Sequence, residues 1–211
     1  MRTAGLILVL AASCAAEIVD RIAVSVDKLV ITESQISEEI RVTAFLNHAQ
    51  PVFSAAEKKA AAERLVDQVL IQRVMEISRY PIPDLSAADV GEKAIVESVG
   101  GETPFRKALG DCGIDETDLK RHLWAQVSTL RFIDYRFRPA VQVTDTELRD
   151  DYEKQVAEWK QRGVRKIPSF EDSRDAVAKV ALERLIDRAL DSWIAETRKQ
   201  AAIVYHKDAF Q

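Results

Sequence analysis

The chain has 211 residues, of which 47% are hydrophobic and 30% are charged, so apolar side chains are plentiful enough for a buried core. Seven glycines and six prolines are too few for a disordered or collagen-like polypeptide. Thirty basic and 34 acidic residues give a net charge of -4, which provides no electrostatic basis for binding nucleic acid. We therefore expect a folded protein of one or two domains, with no nucleic-acid partner.

The N-terminus has the pattern of an export signal. Arg2 precedes an apolar stretch over residues 4–12, which is too short to span a bilayer permanently, and small residues follow it. Cleavage after Ala15 or Ala16 satisfies the requirement for small residues at the cleavage site. Residues 1–16 are therefore predicted to be a signal peptide.

Two other interpretations of this segment stay open. Residues 11–14 also resemble a lipoprotein signal, in which Cys14 would carry lipid and would be the protein's only route to a membrane. Alternatively, the segment is a native strand or helix. If the signal is removed, Cys112 is the only thiol, and its Gly-Asp-Cys-Gly setting indicates a turn residue and not a nucleophile.

Two short β-rich runs bracket the mature chain, residues 17–211. Residues 18–31 are predicted to form a hairpin around Asp27-Lys28, with a bulged or lengthened turn because Lys resists positive φ. The second run covers residues 202–206. Neither run is long enough to be stable alone, so we predict that the C-terminal strand pairs with the N-terminal hairpin. The hairpin residues predicted to share one face are Ile22, Val24 and Val26.

Between these runs the chain has the periodicity of amphipathic helices. A Ser, Thr or Asp suited to an N-cap precedes each apolar stripe. The predicted helices start at Thr32, Ser54, Ser86, Thr103, Asp115, Thr144 and Ser169, and the last of them, over 169–200, is the longest. The fold class is therefore mainly α with a small sheet.

No arrangement of residues predicts a catalytic or metal site. The three histidines, His48, His122 and His206, are scattered, and acidic pairs such as Asp150-Asp151 are typical of solvated helix faces. The chain has no Gly-rich phosphate loop, CxxC pair or Gly-x-Ser-x-Gly elbow. We expect no catalytic residue, no metal, no cofactor and no enzymatic activity.

Aromatic residues crowd the fifth predicted helix. Trp124, Phe132, Tyr135 and Phe137 cannot share one stripe at 100° per residue, and Phe132 falls off the face that runs from Leu119 to Leu130. Either this helix is buried on two sides, or part of it lines an apolar groove for extended peptide. The residues predicted to face such a polypeptide client are Phe45, Phe132, Tyr135 and Phe137.

Five segments carry a resemblance to a known family. They are IVDRIAVSV at 18–26, VITESQI at 30–36, LVDQVLIQ at 65–72, FRKAL with GID and LK at 105–120, and VTDTEL with Tyr152 at 143–152. In this order they resemble the hairpin, helices and exit segment of the N-terminal domain of the SurA family of periplasmic chaperones. The peptide-binding C-terminal part of trigger factor is more loosely similar.

The resemblance implies a multi-helix SurA N-domain-like or trigger factor-like fold whose small sheet joins the N-terminal hairpin to the C-terminal strand. It also implies an exported, periplasmic chaperone that works without ATP. Its partners would be unfolded or extended polypeptides, outer-membrane proteins among them. One departure is the hairpin turn, where the family usually has Asn-Gly and this chain has Asp27-Lys28.

A second departure concerns catalysis. Family members commonly carry a parvulin prolyl-isomerase domain between the exit segment and the final helix. Here the interval from Trp159 to Phe170 is only about ten residues, too short to fold as a separate domain. We expect no isomerase activity, although an isomerase-related protein and a dedicated adaptor for one partner stay open as alternatives.

Overall fold

The structure is a computed structural model and describes residues 20–211. The predicted signal peptide, and with it Cys14, lies outside the described residues. The described part is mainly helical with a small sheet, as the sequence predicted.

The elements follow one another with short connections. The strands are β1 (Ile22–Val26), β2 (Leu29–Thr32) and β3 (Ile203–Tyr205). The α-helices are α1 (Glu33–Leu46), α2 (Ala55–Ile77), α3 (Asp89–Ser98), α4 (Glu102–Cys112), α5 (Glu116–Phe137), α6 (Asp145–Gln161) and α7 (Phe170–Gln200). Single 3₁₀ turns cover Leu85–Ala88, Arg138–Ala140 and Lys207–Phe210.

The two ends of the described chain share one sheet. Its strand order is β2-β1-β3, and β1 pairs antiparallel with both neighbours. Val24 lies opposite Ile31 on one side and opposite Tyr205 on the other. This confirms the predicted pairing of the C-terminal strand with the N-terminal hairpin.

The hairpin turn is shorter than predicted. Val26 pairs with Leu29, so the turn consists of Asp27 and Lys28 alone, and the expected lengthening is wrong. Asp27 adopts the positive φ, 52°, which Asp tolerates better than most residues, so Lys28 does not have to adopt it.

The predicted alternation of β1 also fails at its start. The register shifts between Ile22 and Val24, as it does at a β-bulge. Ala23 and Val24 are both buried, whereas Ile22 is exposed, so Ile22 does not share the inner face of Val24 and Val26.

Most predicted helix starts are confirmed by side-chain caps. Each capping oxygen accepts the backbone N–H three residues further on, as in capping motifs generally. The capping residues are Thr32, Ser54, Asp115, Thr144 and Ser169. The other two starts differ, because Ser86 lies inside a 3₁₀ turn and α4 begins at Glu102, after Gly101 with φ of 106°.

The core consists of four apolar clusters. The first packs the sheet onto α1 and α2, and the second packs α1 against α4 and α5. The third joins α2, α5 and α7, and the fourth lies between α6 and α7. Their central residues, one pair from each cluster in turn, are Val24 and Val66, Phe105 and Leu119, Met75 and Phe132, and Val177 and Ala181.

Helix α5 is buried on two sides, one of the two arrangements that the aromatic pattern allowed. Leu119 and Leu123 lie in the second cluster, whereas Phe132 lies in the third. The predicted apolar face from Leu119 to Leu130 is therefore wrong at Leu130, whose side chain is 57% exposed. The buried face changes along α5 because different helices pack against its two halves.

Candidate functional site

Three helices and the edge of the sheet surround an open cleft of about 280 Å³, which we call the α1–α2–α5 cleft. Each helix contributes residues that recur at helical spacing, such as Leu65, Val69 and Gln72 of α2. Strand β2 contributes Val30 and Ile31. The apolar residues that the helices contribute are Val42, Leu65, Val69, Trp124 and Ala125.

Trp124 is held in place by a polar contact outside the cleft. Its indole Nε1–H donates a 2.8 Å hydrogen bond to the backbone carbonyl of Pro83. This bond satisfies the one polar group of the side chain, so the ring can serve as an apolar wall.

A buried carboxylate lies in the same wall. Glu39 is only 7% exposed, and its Oε1 accepts hydrogen bonds from Arg64 Nε at 2.7 Å and Thr43 Oγ1 at 3.2 Å. Its Oε2 lies 3.4 Å from His122 Nδ1. Burial opposes ionisation, but hydrogen bonds from His122 and Arg64 outweigh it and hold the pKa of Glu39 below its usual value. Glu39 is therefore an ionised, fully partnered carboxylate.

The other charged residues of the cleft pair with each other. Arg121 donates a 2.8 Å hydrogen bond to Glu38 Oε1. Burial raises the pKa of Glu38, and Arg121 opposes that rise. Since every charged side chain that lines the cleft has an oppositely charged partner, the cleft is suited to an uncharged occupant.

Three neutral amides complete the lining. Gln35 comes from α1, and Gln68 and Gln72 come from α2; Gln35 Oε1 already accepts the Thr32 N–H at 2.9 Å, so the two amides of α2 are the ones without such a role. A glutamine side chain both donates and accepts hydrogen bonds, as a peptide group does. Apolar walls with a few neutral polar groups suit an extended peptide segment: side chains would contact the walls, and backbone groups the amides.

The structure places three of the four predicted client-facing residues in the core. The Phe45 ring lies 6.1 Å from that of Phe105, and Phe132 is 1% exposed. Phe137 is 9% exposed, with its ring 5.8 Å from that of Trp193. A client could reach these rings only if the packing opened.

Tyr135 is the exception among the four. It is 68% exposed, and its ring lies 5.2 Å from that of Tyr80. The four aromatic residues are thus not brought together on one surface. None of them lines the cleft.

Apart from Trp124, which was noted among the crowded aromatic residues but not predicted to face a client, sequence reasoning missed the residues that line the cleft. The signal that could have identified them is a pair of glutamines, Gln68 and Gln72, one turn apart beside the apolar stripe of α2. Polar residues at that position are usually interpreted as the solvated border of a stripe. Only the approach of α5 makes them part of a concave surface.

The other residues singled out from the sequence lie apart from the cleft. Cys112 was predicted to be a turn residue, but it is the buried last residue of α4, and the turn begins at Gly113; burial raises the pKa of its thiol. His206 lies at the sheet, with its Nε2 3.0 Å from Ser25 Oγ. Over residues 20–211, no three His, Cys, Asp or Glu side chains are grouped so that they could hold a metal ion. No helix in that range has the length and apolar character needed to cross a membrane.

No protein-family model matches the chain, and a search of curated proteins finds no match. The resemblance to the SurA family therefore depends on the sequence segments described above.

Proposed function

We propose that this protein is an exported, ATP-independent chaperone with a SurA N-domain-like fold, which holds segments of unfolded polypeptide in the α1–α2–α5 cleft. The observation that carries the proposal is the lining of the cleft, which combines apolar walls, neutral amides and internally paired charges. Apolar burial is non-directional, so such a cleft tolerates many sequences. Discrimination between clients is correspondingly weak.

The size of the cleft supports binding of a segment of chain. Its volume of about 280 Å³ is near the lower end of the range typical of small-molecule sites. It has room for a few side chains and not for a folded partner. Short contacts of this kind are modest in affinity, which allows a client to be released without ATP.

The predicted export signal and the family resemblance support a periplasmic location and outer-membrane proteins as clients. Mass spectrometry of the mature N-terminus would test this part. Cleavage after Ala15 or Ala16 gives a soluble periplasmic form, whereas a lipidated Cys14 gives the anchored alternative. An uncleaved N-terminus on protein recovered from cells would contradict export.

The central experiment measures suppression of aggregation when an unfolded outer-membrane β-barrel protein is diluted from urea. We expect suppression at stoichiometric ratios, and no suppression by the folded protein would refute the chaperone proposal. Val69→Glu places a charge in the cleft wall and should abolish most of the effect, because a client would have to desolvate that charge.

A matched variant controls for the added charge. Val180 of α7 is 58% exposed and does not line the cleft, so Val180→Glu should suppress aggregation as well as the unaltered protein does. Equal activity of Val69→Glu and Val180→Glu would exclude the cleft as the binding site. Thermal melts establish that both variants are folded.

The proposal does not include prolyl-isomerase activity. Helices α6 and α7 are joined by residues 162–169 alone. We expect a proline-limited refolding reaction to proceed at its uncatalysed rate in the presence of the protein. Pull-down of one stoichiometric protein, in place of a spectrum of unfolded clients, would favour the adaptor alternative.

A further inference from the structure

Strand β2 forms an edge of the sheet, and the backbone N–H and C=O of Val30 point away from β1. The Ala23 carbonyl of β1 accepts from His206 N–H, and Asp27 N–H, directly after β1, bonds to the Ala202 carbonyl, so the backbone groups of the odd-numbered residues face β3. In an antiparallel ladder the intervening residues, Val24 and Val26, must then bond to β2.

The partners of Val24 and Val26 in β2 are Ile31 and Leu29. Val30 lies between them, opposite Ser25, so its N–H and C=O point to the free side of β2. The Val30 side chain is 47% exposed. This edge therefore offers one donor and one acceptor next to an exposed apolar side chain.

The cleft touches β2 at two adjacent residues, Val30 and Ile31. Adjacent residues of a strand project to opposite faces of a sheet, and a cavity that borders the free edge of β2 would contact both of them in this way. A chain entering the cleft would thus pass beside the unused backbone groups of Val30.

We infer that the β2 edge is a pairing template, on which an extended client segment forms two main-chain hydrogen bonds with Val30 and directs alternate side chains into the α1–α2–α5 cleft. This inference rests on the proposed function and specifies its substrate class. Pairing with an edge strand uses backbone groups that every sequence has, while the cleft selects the side chains. The favoured client is an uncharged segment of alternating apolar residues, as in an unfolded β-strand.

The edge is short, which limits the strength of pairing. The next outward-facing N–H, that of Thr32, already donates to Gln35 Oε1 at 2.9 Å as part of the cap of α1. A client strand therefore cannot extend the ladder beyond Val30 in that direction. Short edges are also a common protection against aggregation, so this template favours transient pairing over assembly.

The first test removes the donor of Val30 and nothing else from the sheet. In Val30→Pro the missing N–H is the outward one, so the β1–β2 ladder keeps its bonds, and proline is accepted at such edge positions. Val30→Thr is the matched control, since it keeps the N–H and a β-branched side chain. The probe is a fluorescein-labelled peptide of alternating valine and threonine, about nine residues long, with affinity measured by anisotropy.

We expect Val30→Pro to weaken peptide binding by about fivefold to tenfold, while Val30→Thr stays within about twofold of the unaltered protein. Equal affinities for all three proteins would overturn the inference. Equal losses in Val30→Pro and Val30→Thr would also overturn it, because they would assign the contact to the side chain.

The second test leaves the protein unchanged, so it stands even if Val30→Pro does not fold. Single N-methyl groups are placed on successive amides of the probe peptide. Edge pairing uses one client N–H, which donates to the Val30 carbonyl, so the loss of affinity should be concentrated at one amide position, whereas a uniform profile contradicts pairing. If the unmethylated peptide does not bind at all, the proposed function itself fails; binding with a uniform profile refutes only the pairing.

Discussion

Asp27 and Ala202 exchange two hydrogen bonds although 175 positions separate them in the chain. The Asp27 carboxylate accepts the N–H of Ala202 at 2.9 Å, and the Asp27 backbone N–H donates to the Ala202 carbonyl at 2.9 Å. The same carboxylate forms an ion pair with Arg73 of α2. One turn residue therefore connects the hairpin, the end of α7 and the second helix.

Asp27 should make stability depend on pH. The hydrogen bond from Ala202, helped by Arg73, holds the pKa of Asp27 below its usual value. Such a group contributes stability that is fully present above its unfolded pKa of about 3.9 and is lost as the pH falls through its folded pKa. Asp27→Asn should unfold at lower urea concentration near neutral pH and converge with the unaltered protein in acid.

The control for Asp27→Asn is Asp187→Asn, which removes the same charge from an exposed position on α7. It should leave the difference between neutral and acidic stability unchanged. If Asp27→Asn were less stable than the unaltered protein by the same amount in acid as at neutral pH, the pH dependence would not come from the Asp27 carboxylate.

Deletion of residues 201–211 should destabilise the whole domain. The segment supplies β3 together with Ala209 and Phe210, which pack in the first cluster against the sheet and the first two helices. Loss of this apolar burial should lower the free energy of unfolding by at least about 3 kcal/mol, measured by urea denaturation.

Removal of Gln211 alone is the control for this deletion. Its backbone oxygen accepts a hydrogen bond from Lys58 Nζ at an exposed position, and its loss should change the melting temperature little. An unchanged melting temperature for the longer deletion would show that the two ends do not depend on each other.

Phe132 and Tyr135 should respond in opposite ways to truncation. Phe132→Ala removes a ring that is 1% exposed and leaves a cavity in the third cluster, so it should cost about 3–5 kcal/mol of unfolding free energy. Tyr135→Ala, at a position 68% exposed, should cost less than about 1 kcal/mol. Similar losses for the two variants in urea titrations would contradict the placement of Phe132 in the core.

Glu38 and Glu39 are neighbours in α1, and their ionisation should have opposite effects on the stability of the fold. Because the pKa of Glu39 is lowered, its ionised form stabilises the fold above about pH 4.3, and that stability is lost as the pH falls through the folded pKa. Glu39→Gln should therefore cost about 1–3 kcal/mol near neutral pH. The two pairings with Arg64 and His122 are lost together.

Glu38→Gln is the comparison. Because burial raises the pKa of Glu38, its ionisation opposes folding as the pH rises through the folded pKa. Replacement with uncharged Gln should leave the free energy of unfolding near pH 7 unchanged or raise it, as measured by urea titration at several pH values. A larger loss of unfolding free energy in Glu38→Gln than in Glu39→Gln would contradict the proposed effects of both carboxylates on stability.

Local signals in the sequence predicted much of the fold. The starts of five helices followed from capping residues such as Thr32 and Thr144, whose side chains bond to backbone groups three residues away. Those contacts lie within a single turn, so a short stretch of sequence contains all the information they require. The pairing of β3 with the hairpin followed from the instability of each short run by itself.

Three features could not be predicted in the same way. The bulge after Ile22 shifts the face of β1. The cleft exists only because α5 brings Trp124 and Arg121 towards α1 and α2. Three of the four predicted client-facing residues, Phe45, Phe132 and Phe137, instead packed into the core, since hydrophobicity alone does not distinguish a buried face from a binding face.

By itself, the sequence determined where five of the helices begin, which segments become strands and that the two ends of the described chain belong together, because caps and strand instability are properties of short stretches. Only the tertiary structure decided which faces are covered, which charges are paired and which backbone groups of β2 stay free. Those outcomes depend on helix packing between segments distant in sequence, and no local pattern specifies that packing.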